Sequence, residues 1–356
     1  MAVYEDGRGQ LWIGTAGGLC RRVNEKFHIK TLPDGEPYDQ IYSFIEDREG
    51  NLWVGSKEGL ARLTVQQFST FTSRHGLAHN NIISVLEDRR DALWVGTWGG
   101  GLHRFHNGQV EVFSSANWPL MRNNLILALH EAKDGSLWFG TDYNGGLYRL
   151  ADGILSHFTH KDGLSSNAIR DMQEDRYGAL WVGTSSKVFK KRGDRFFHYK
   201  QSDGLANDHV RCIAKGAGGW LWVGTEGGLS LWQNGTFTSY TTADGLSDNM
   251  ILGLYADADR ALWIGTQQGG LNRFKDGQFT AYRKEHGLFS DQVLEIVEDD
   301  SGRLWMTCNR GVFRVSKAHL EQFDRKEIKT IPCEAFGKAD GMVSPVCVGI
   351  AKPSSW

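Results

Sequence analysis

The sequence lacks the features typical of membrane-spanning, nucleic-acid-binding, disulfide-rich and metal-binding proteins. It has no apolar run near the roughly 20 residues that a membrane span needs. Its formal net charge is −2 with both signs interspersed, so it carries no electrostatic footprint for nucleic acid. The five cysteines form no Cys-x-x-Cys pair and no metal-ligand spacing, so we expect buried free thiols rather than disulfides. They are Cys20, Cys212, Cys308, Cys333 and Cys347.

The chain also lacks a recognisable export signal, because residues 1–6 show no basic segment followed by an apolar one. Instead, Val3-Tyr4-Glu5-Asp6 aligns with the later segment Leu86-Glu87-Asp88, so the chain begins inside a repeat. At the other end, Ser354-Ser355-Trp356 stops in the middle of a repeat. We therefore expect a fragment of a longer protein.

Glycine, in contrast, is abundant, with 44 residues against 6 prolines, and much of it lies in a repeated phrase. The phrase reads Leu-Trp-Ile/Val-Gly-Thr in most copies and occurs eight times. The tryptophans are 41, 41, 44, 43, 41, 41 and 42 residues apart, a period typical of a repeat architecture. The eight copies begin at Leu11, Leu52, Leu93, Leu137, Leu180, Leu221, Leu262 and Leu304.

One copy of the repeat predicts four short strands. Residues 82–88 form an apolar run that ends in two acids, and 93–97 alternate as a second strand after a tight turn. Residues 102–105 and 109–113 follow as two more strands, joined by the hairpin signal Asn107-Gly108. No segment sustains the 3.6-residue apolar spacing of a helical repeat. Four antiparallel strands per unit indicate a β-propeller blade.

The predicted fold is therefore all-β, a propeller of four-stranded antiparallel blades with eight sequence repeats. Eight units fit an eight-bladed ring, or seven blades with one left over. We assign residues 1–325 to the propeller and 326–356 to a last outer strand and the start of a further, truncated blade within 342–350. Ser316 is expected to cap a short helix. An open ring would leave strand edges unpaired, which favours self-association as a homodimer.

The repeat resembles the two-component regulator propeller family. The phrase Asn-x-Ile-x-x-Ile/Leu-x-Glu-Asp-x-x-Gly-x-Leu-Trp-Ile/Val-Gly-Thr carries the resemblance, and it is clear at 81–102, 167–184 and 292–305. The resemblance covers about residues 2–315, and the tail is similar to a late segment of the same sensors. It implies a periplasmic ligand-sensing region of a membrane-bound histidine kinase or hybrid two-component protein. Neighbouring propeller and kinase domains are the partners it implies, and any kinase activity would lie in them.

The recurrent motifs are expected to be structural. Glu-Asp pairs such as Glu87-Asp88 occupy the head of the first turn in several repeats, where aspartate accepts backbone N–H groups. In the recurrent loops, leucines such as Leu77 should plug between blades, and a following residue such as Asn80 should cap the turn. The histidines have no metal-binding spacing. We therefore expect no catalytic residues, no metal and no cofactor.

Candidate ligand-binding residues are those that depart from the repeat on the loops between second and third strands and between blades. Aromatic rings beside amides and a few charges suit a polar ligand such as an oligosaccharide or a peptide. Two alternatives stay open: a protein-interaction scaffold, and a polysaccharide lyase or glycosidase, which would need clustered acids. The candidates are Lys57, Glu58, Trp98, Trp118, Asp142, Tyr143, Asn144, Glu226, Gln267, Gln268, Asn309 and Arg310.

Overall fold

The computed structural model describes most of the chain and divides it into two compact units. Unit 1 comprises residues 1–70 with 337–343, and unit 2 comprises 71–336 with 344–356. The described residues are 2–6, 10–15, 18–23, 26–30, 40–46, 52–57, 59–63, 70–142, 145–164, 168–340, 342, 344, 346 and 347.

Unit 1 contains two antiparallel sheets, with strand orders β1-β2-β3-β4 and β5-β6-β7. A fourth strand of the second sheet, which the repeat predicts, would fall within 64–69, outside the described residues. The strands are β1 (Ala2–Glu5), β2 (Leu11–Thr15), β3 (Gly18–Val23), β4 (Lys26–Lys30), β5 (Ile41–Glu46), β6 (Leu52–Ser56) and β7 (Gly59–Leu63).

Unit 2 contains six four-stranded antiparallel sheets, which we call blades 3 to 8 after their repeats. Blade 3 is β8 (Ile82–Glu87), β9 (Leu93–Thr97), β10 (Leu102–His106) and β11 (Gln109–Phe113). Blade 4 is β12 (Ile126–Glu131), β13 (Leu137–Thr141), β14 (Leu147–Ala151) and β15 (Ile154–Phe158). Blade 5 is β16 (Ile169–Glu174), β17 (Leu180–Thr184), β18 (Val188–Arg192) and β19 (Arg195–Tyr199).

The remaining three blades repeat the same order. Blade 6 is β20 (Val210–Lys215), β21 (Leu221–Thr225), β22 (Gly228–Gln233) and β23 (Thr236–Tyr240). Blade 7 is β24 (Ile251–Ala256), β25 (Leu262–Thr266), β26 (Leu271–Lys275) and β27 (Gln278–Tyr282). Blade 8 is β28 (Glu295–Glu298), β29 (Arg303–Cys308), β30 (Gly311–Ser316) and β31 (Cys333–Phe336), with helix α1 (Lys317–Asp324) between its last two strands.

The strand order within each sheet follows the chain, and the first strands of successive blades in unit 2 pack against one another. This is the arrangement of propeller blades, so the predicted all-β class and the four-stranded antiparallel blade are confirmed. The predicted hairpin at Asn107-Gly108 has both residues at positive φ, 49° and 74°, as a type I′ turn requires. The predicted helix after Ser316 is present. Its serine side chain makes no capping hydrogen bond, and the Lys317 N–H donates to the Gly302 carbonyl instead.

The core lies between neighbouring blades. Trp138 and Leu147 of blade 4, for example, form one buried cluster with Ile169 and Val182 of blade 5. This packing explains the glycine of the repeated phrase. A Cβ built on Gly140 would lie 2.3 Å from Cβ of Ile169 in the next blade, which is too close for any side chain. The glycine therefore allows the next first strand to approach.

The loops between blades have the predicted construction. Leu77 of the first such loop in unit 2 is 6% exposed, and Leu164 of a later one is fully buried. Asn80 accepts a hydrogen bond from the Ser73 N–H at 2.7 Å, and Asp208 accepts one from the Gln201 N–H at 2.6 Å. Both expected roles, the plugging leucine and the capping polar residue, are thus confirmed at these positions.

His130 makes the fold of unit 2 sensitive to acid. Its Nε2 is shielded from solvent and has no hydrogen-bond partner among the described residues. Burial, with the nearby charges of Arg89 and Lys215, lowers the pKa of His130 to about 4 from its usual 6.5. The fold therefore favours the neutral imidazole. The stability that the neutral His130 contributes is fully present above pH 6.5 and is lost as pH falls toward 4.

We expect His130→Gln to remove this dependence, since Gln173 occupies the equivalent position opposite the repeat tryptophan in blade 5. Between pH 7 and pH 4, the free energy of unfolding should fall by about 3 kcal/mol more for the wild-type chain than for the variant. This follows from about 1.4 kcal/mol per unit of pKa shift. Urea unfolding at a series of pH values measures the difference. Parallel curves for the two proteins would contradict the prediction.

Candidate functional site

Each blade of unit 2 has two distinct ends. The turns between second and third strands and the connections between blades lie at one end, which we call the turn face. The hairpins between first and second strands and between third and fourth strands lie at the other, which we call the hairpin face. In blade 3, for example, residues 98–101 lie on the turn face, and residues 88–92 and 107–108 lie on the hairpin face.

Five of the described candidate residues occupy the equivalent position in their own blades, one in unit 1 and four on the turn face of unit 2. Each follows the second strand, and its backbone N–H donates to the carbonyl of the residue just before the first strand. The pairs are Lys57 to Gln40 (3.1 Å) in unit 1, and Trp98 to Asn81 (2.9 Å), Asp142 to Leu125 (3.4 Å), Glu226 to His209 (3.0 Å) and Gln267 to Met250 (3.1 Å) in unit 2. In unit 2, blades 3, 4, 6 and 7 therefore each have one such candidate beside the first strand. Ser185, bonded to Ala168 at 3.3 Å, holds this position in blade 5 and was missed because serine is unremarkable there.

Glu226 belongs to a charged cluster that the sequence reasoning missed. Its carboxylate lies 3.1 Å from Nδ1 of His209 and 3.1 Å from Nε of Arg211. The glutamate side chain is 32% exposed, so the cluster can be reached from solvent. His209 and Arg211 are two residues apart around the start of β20, and this spacing could have indicated that they share one side of the strand.

Blades 7 and 8 contribute amides and a guanidinium to the same face. The Gln268 N–H donates to Oδ2 of Asp248 at 2.8 Å, and the Gln268 side chain is exposed. The Asn309 N–H donates to Oε1 of Gln292 at 3.1 Å. The Arg310 guanidinium lies 4.7 Å above the ring of Phe289. These groups can donate and accept hydrogen bonds, as recognition of a polar ligand requires.

The two candidate tryptophans are placed differently from these polar residues. Trp98 is half-buried against Leu125 and Leu127. Trp118 packs on Phe113, with ring centroids 4.5 Å apart, in the cluster between blades 3 and 4. The structure gives both indoles a packing role. Glu58, Tyr143 and Asn144 lie outside the described residues.

The Glu-Asp pairs have the structural role that the sequence predicts. In blade 3, Asp88 Oδ1 accepts the Ala92 N–H at 3.0 Å, and Oδ2 accepts Nε1 of Trp94 at 2.7 Å. Burial opposes ionisation, but these hydrogen bonds hold the pKa of Asp88 below its usual value. The same bond to the repeat tryptophan is formed by Asp6 (2.8 Å), Asp175 (3.0 Å), Asp257 (2.8 Å) and Asp299 (2.8 Å).

Cavities lie on the hairpin face among the described residues of unit 2, where the sequence reasoning placed no site. They occupy successive grooves between blades 4 and 5, 5 and 6, and 6 and 7, with volumes of about 540, 230 and 530 Å³. Trp220 lines the second and third, and it stands where blades 3, 5 and 7 have the small residues Ala92, Ala179 and Ala261. That departure from the repeat was the signal available in the sequence.

Over the part of the chain that the structure describes, no group of three or more histidine, cysteine or acidic side chains could hold a metal ion. Nor does any described helix have the length and apolar character needed to cross a bilayer.

The chain matches a known protein family over six of its repeats. The family described as "Two component regulator propeller" matches residues 35–58, 76–99, 121–143, 163–186, 204–227 and 245–268. No curated protein sequence matches the chain.

Among solved structures, the chain is similar to the extracellular domain of a protein named as a hybrid two component system of B. thetaiotaomicron. The identity is 22% and the TM-score 0.71, over 98% of this chain and 53% of that one, so this chain spans about half of its length. Virginiamycin B lyase from Staphylococcus aureus is 14% identical, with a TM-score of 0.58 over 72% of this chain and 84% of the lyase. PorZ of Porphyromonas gingivalis is 14% identical, with a TM-score of 0.53 over 86% of this chain and 55% of PorZ. At these identities the likeness shows the fold.

Proposed function

Because this chain belongs to the two component regulator propeller family, we propose that it is the ligand-sensing module of a two-component signal transduction receptor. The ligand is a small polar molecule, an oligosaccharide or a peptide, bound on the turn face. The module lies in the periplasm and signals through neighbouring propeller, membrane and kinase parts of a longer receptor. The chain itself supplies no catalysis.

The observation that carries this proposal is the row of non-repeat residues at one equivalent position. Identical backbone hydrogen bonds hold that position in successive blades, whereas the side chain changes from blade to blade. A rigid backbone that presents variable polar side chains is the usual construction of a binding surface on a repeat protein. Within this row, the carboxylate of Glu226 lies 3.1 Å from His209 and 3.1 Å from Arg211.

A thermal-shift screen of the purified chain against oligosaccharides and peptides tests the proposal. A ligand that binds the folded state stabilises it by about 2.7 kcal/mol at about 100 times its Kd, which raises the unfolding midpoint by several degrees. We expect Glu226→Ala to abolish this rise while leaving the midpoint of the ligand-free chain nearly unchanged.

The matched control is Asp194→Ala, which removes an exposed acid from the hairpin face and should preserve the rise. If no member of the panel shifts the midpoint of a cooperatively unfolding chain, a protein-interaction scaffold becomes the better explanation. A shift that survives in Glu226→Ala would place the ligand elsewhere.

A further inference from the structure

Blade 6 lacks two groups that surround the repeat tryptophan in most described blades. In blade 7, Trp263 donates Nε1–H to Asp257 and lies beneath the guanidinium of Arg273, 5.9 Å from the ring centroid. The same acid and base flank the tryptophan in blades 3, 5 and 8. In blade 6 the acid is replaced by Gly216, and Leu231 stands opposite Trp222 in the strand register.

The loss leaves the indole N–H of a largely buried tryptophan without a protein acceptor. Trp222 is only 5% exposed, and its Nε1 has no hydrogen-bond partner among the described residues. A Cβ built on Gly216 would lie 2.8 Å from this nitrogen, so the N–H is directed toward the space that aspartate occupies in the other blades. Nε1 of Trp222 is not among the solvent-shielded unpaired atoms of the described residues, so the N–H opens onto the groove that Trp222 lines, where a ligand acceptor can reach it.

A cavity of about 530 Å³ lies beside this donor, between blades 6 and 7. Trp222, Trp220 and Phe274 supply aromatic rings to its lining, with small residues such as Gly218 and Ala261 between them. Trp220 is 39% exposed, so its indole is available from solvent. The lining is mainly apolar, which suits a flat hydrophobic ring better than a sugar covered with hydroxyl groups.

The charges at the cavity favour an anion. Arg260 and Lys275 line it, and neither forms an ion pair with a described residue. Of the two acids in the lining, Asp257 is committed to Lys317 at 3.0 Å and to Trp263. Asp276, on the hairpin after Lys275, is therefore the acid that remains to oppose two cations.

We propose that this groove binds a small aromatic carboxylic acid. The carboxylate accepts the N–H of Trp222 in place of the absent aspartate, and the aromatic ring packs against Trp220 and Phe274. Arg260 and Lys275 supply the balancing positive charge. The site lies on the hairpin face, so this inference stands apart from ligand binding on the turn face.

Isothermal titration with phenylacetate and with 2-phenylethanol tests the proposal, because the two probes share a ring and only the first is an anion. We expect phenylacetate to bind about tenfold more tightly, as a charge-assisted hydrogen bond implies. Trp222→Phe keeps an aromatic ring but removes the donor, so it should abolish most of this preference. Trp263→Phe is the matched control and should preserve it, since the Nε1 of Trp263 is already paired with Asp257.

Trp220→Ala gives a second measurement that does not depend on a buried substitution. It should weaken the binding of both probes, because it removes the exposed ring. Equal affinity for the two probes, no binding of phenylacetate, or an undiminished preference in Trp222→Phe would overturn the proposal.

Discussion

Replacing Asp257 with alanine is expected to lower the free energy of unfolding by about 3–5 kcal/mol, because two buried N–H donors lose their acceptor at about 1–3 kcal/mol each. The Asp257 side chain is 1% exposed and lies 3.0 Å from Nζ of Lys317, at the start of α1. It also accepts Nε1–H of Trp263 at 2.8 Å and the backbone N–H of Ala261 at 2.9 Å. The substitution therefore leaves two buried donors without an acceptor, whereas the Lys317 ammonium keeps Glu298 at 3.0 Å and Asp259 at 3.2 Å. Urea unfolding measures the change.

Asp259→Ala is the matched control for that substitution. Asp259 also contacts Lys317, at 3.2 Å, but its side chain is 67% exposed. Exposed ion pairs contribute about 0–1 kcal/mol, so this variant should be close to the wild type. Similar losses for the two aspartates would show that Asp257 does not act as a buried link between blades 7 and 8.

Trp181→Ala is expected to cost about 3–5 kcal/mol, the range for removal of a buried tryptophan from a core. Trp181 is fully buried in blade 5. Its ring lies 5.0 Å from that of Trp232 in blade 6 and 5.5 Å from that of Tyr199 in its own blade. Its Nε1 donates to Asp175 at 3.0 Å. Loss of the indole thus opens a cavity between two blades and removes one partner from a buried carboxylate.

Trp220→Ala makes the same chemical change at a tryptophan outside the repeated phrase. Because Trp220 is 39% exposed, its removal should cost less than about 1 kcal/mol. Comparing the free energies of unfolding of the two variants tests whether a repeat tryptophan stabilises the fold more than the tryptophan outside the repeat. Equal destabilisation would contradict this distinction.

The fold could be predicted from the sequence because each blade repeats a local pattern. Alternating residues, turn signals and a fixed period specify strands that pair with their chain neighbours. Contacts between blades could not be predicted in this way. Glu131 accepts the N–H of Arg89, and Glu174 accepts that of Lys133, from the preceding blade in each case. These partners are 42 and 41 residues apart, and the strand pattern does not specify how adjacent blades align.

The repeated pattern also made part of the candidate site predictable. Departures from the repeat on the turn face identified positions such as Glu226 and Gln267, which the fold makes equivalent. The sequence reasoning missed blade 6 on the hairpin face because Gly216, Trp220 and Leu231 are unremarkable residues one at a time. Their meaning appears only when the strands of different blades are compared in register. Gly216 then occupies the position of the acid, and Leu231 the position of the base, that flank the repeat tryptophan in other blades.

Hydrogen–deuterium exchange, with and without a ligand found by thermal shift, tests most directly the claim that the turn face senses a ligand. We expect slower exchange of backbone amides around 209–211, 226–228 and 267–270 when the ligand is bound. Amides of the hairpins near 216–220 and 275–277 should be unaffected by that ligand. Protection confined to those hairpins, or unchanged exchange on the turn face at saturating ligand, would contradict ligand binding on the turn face.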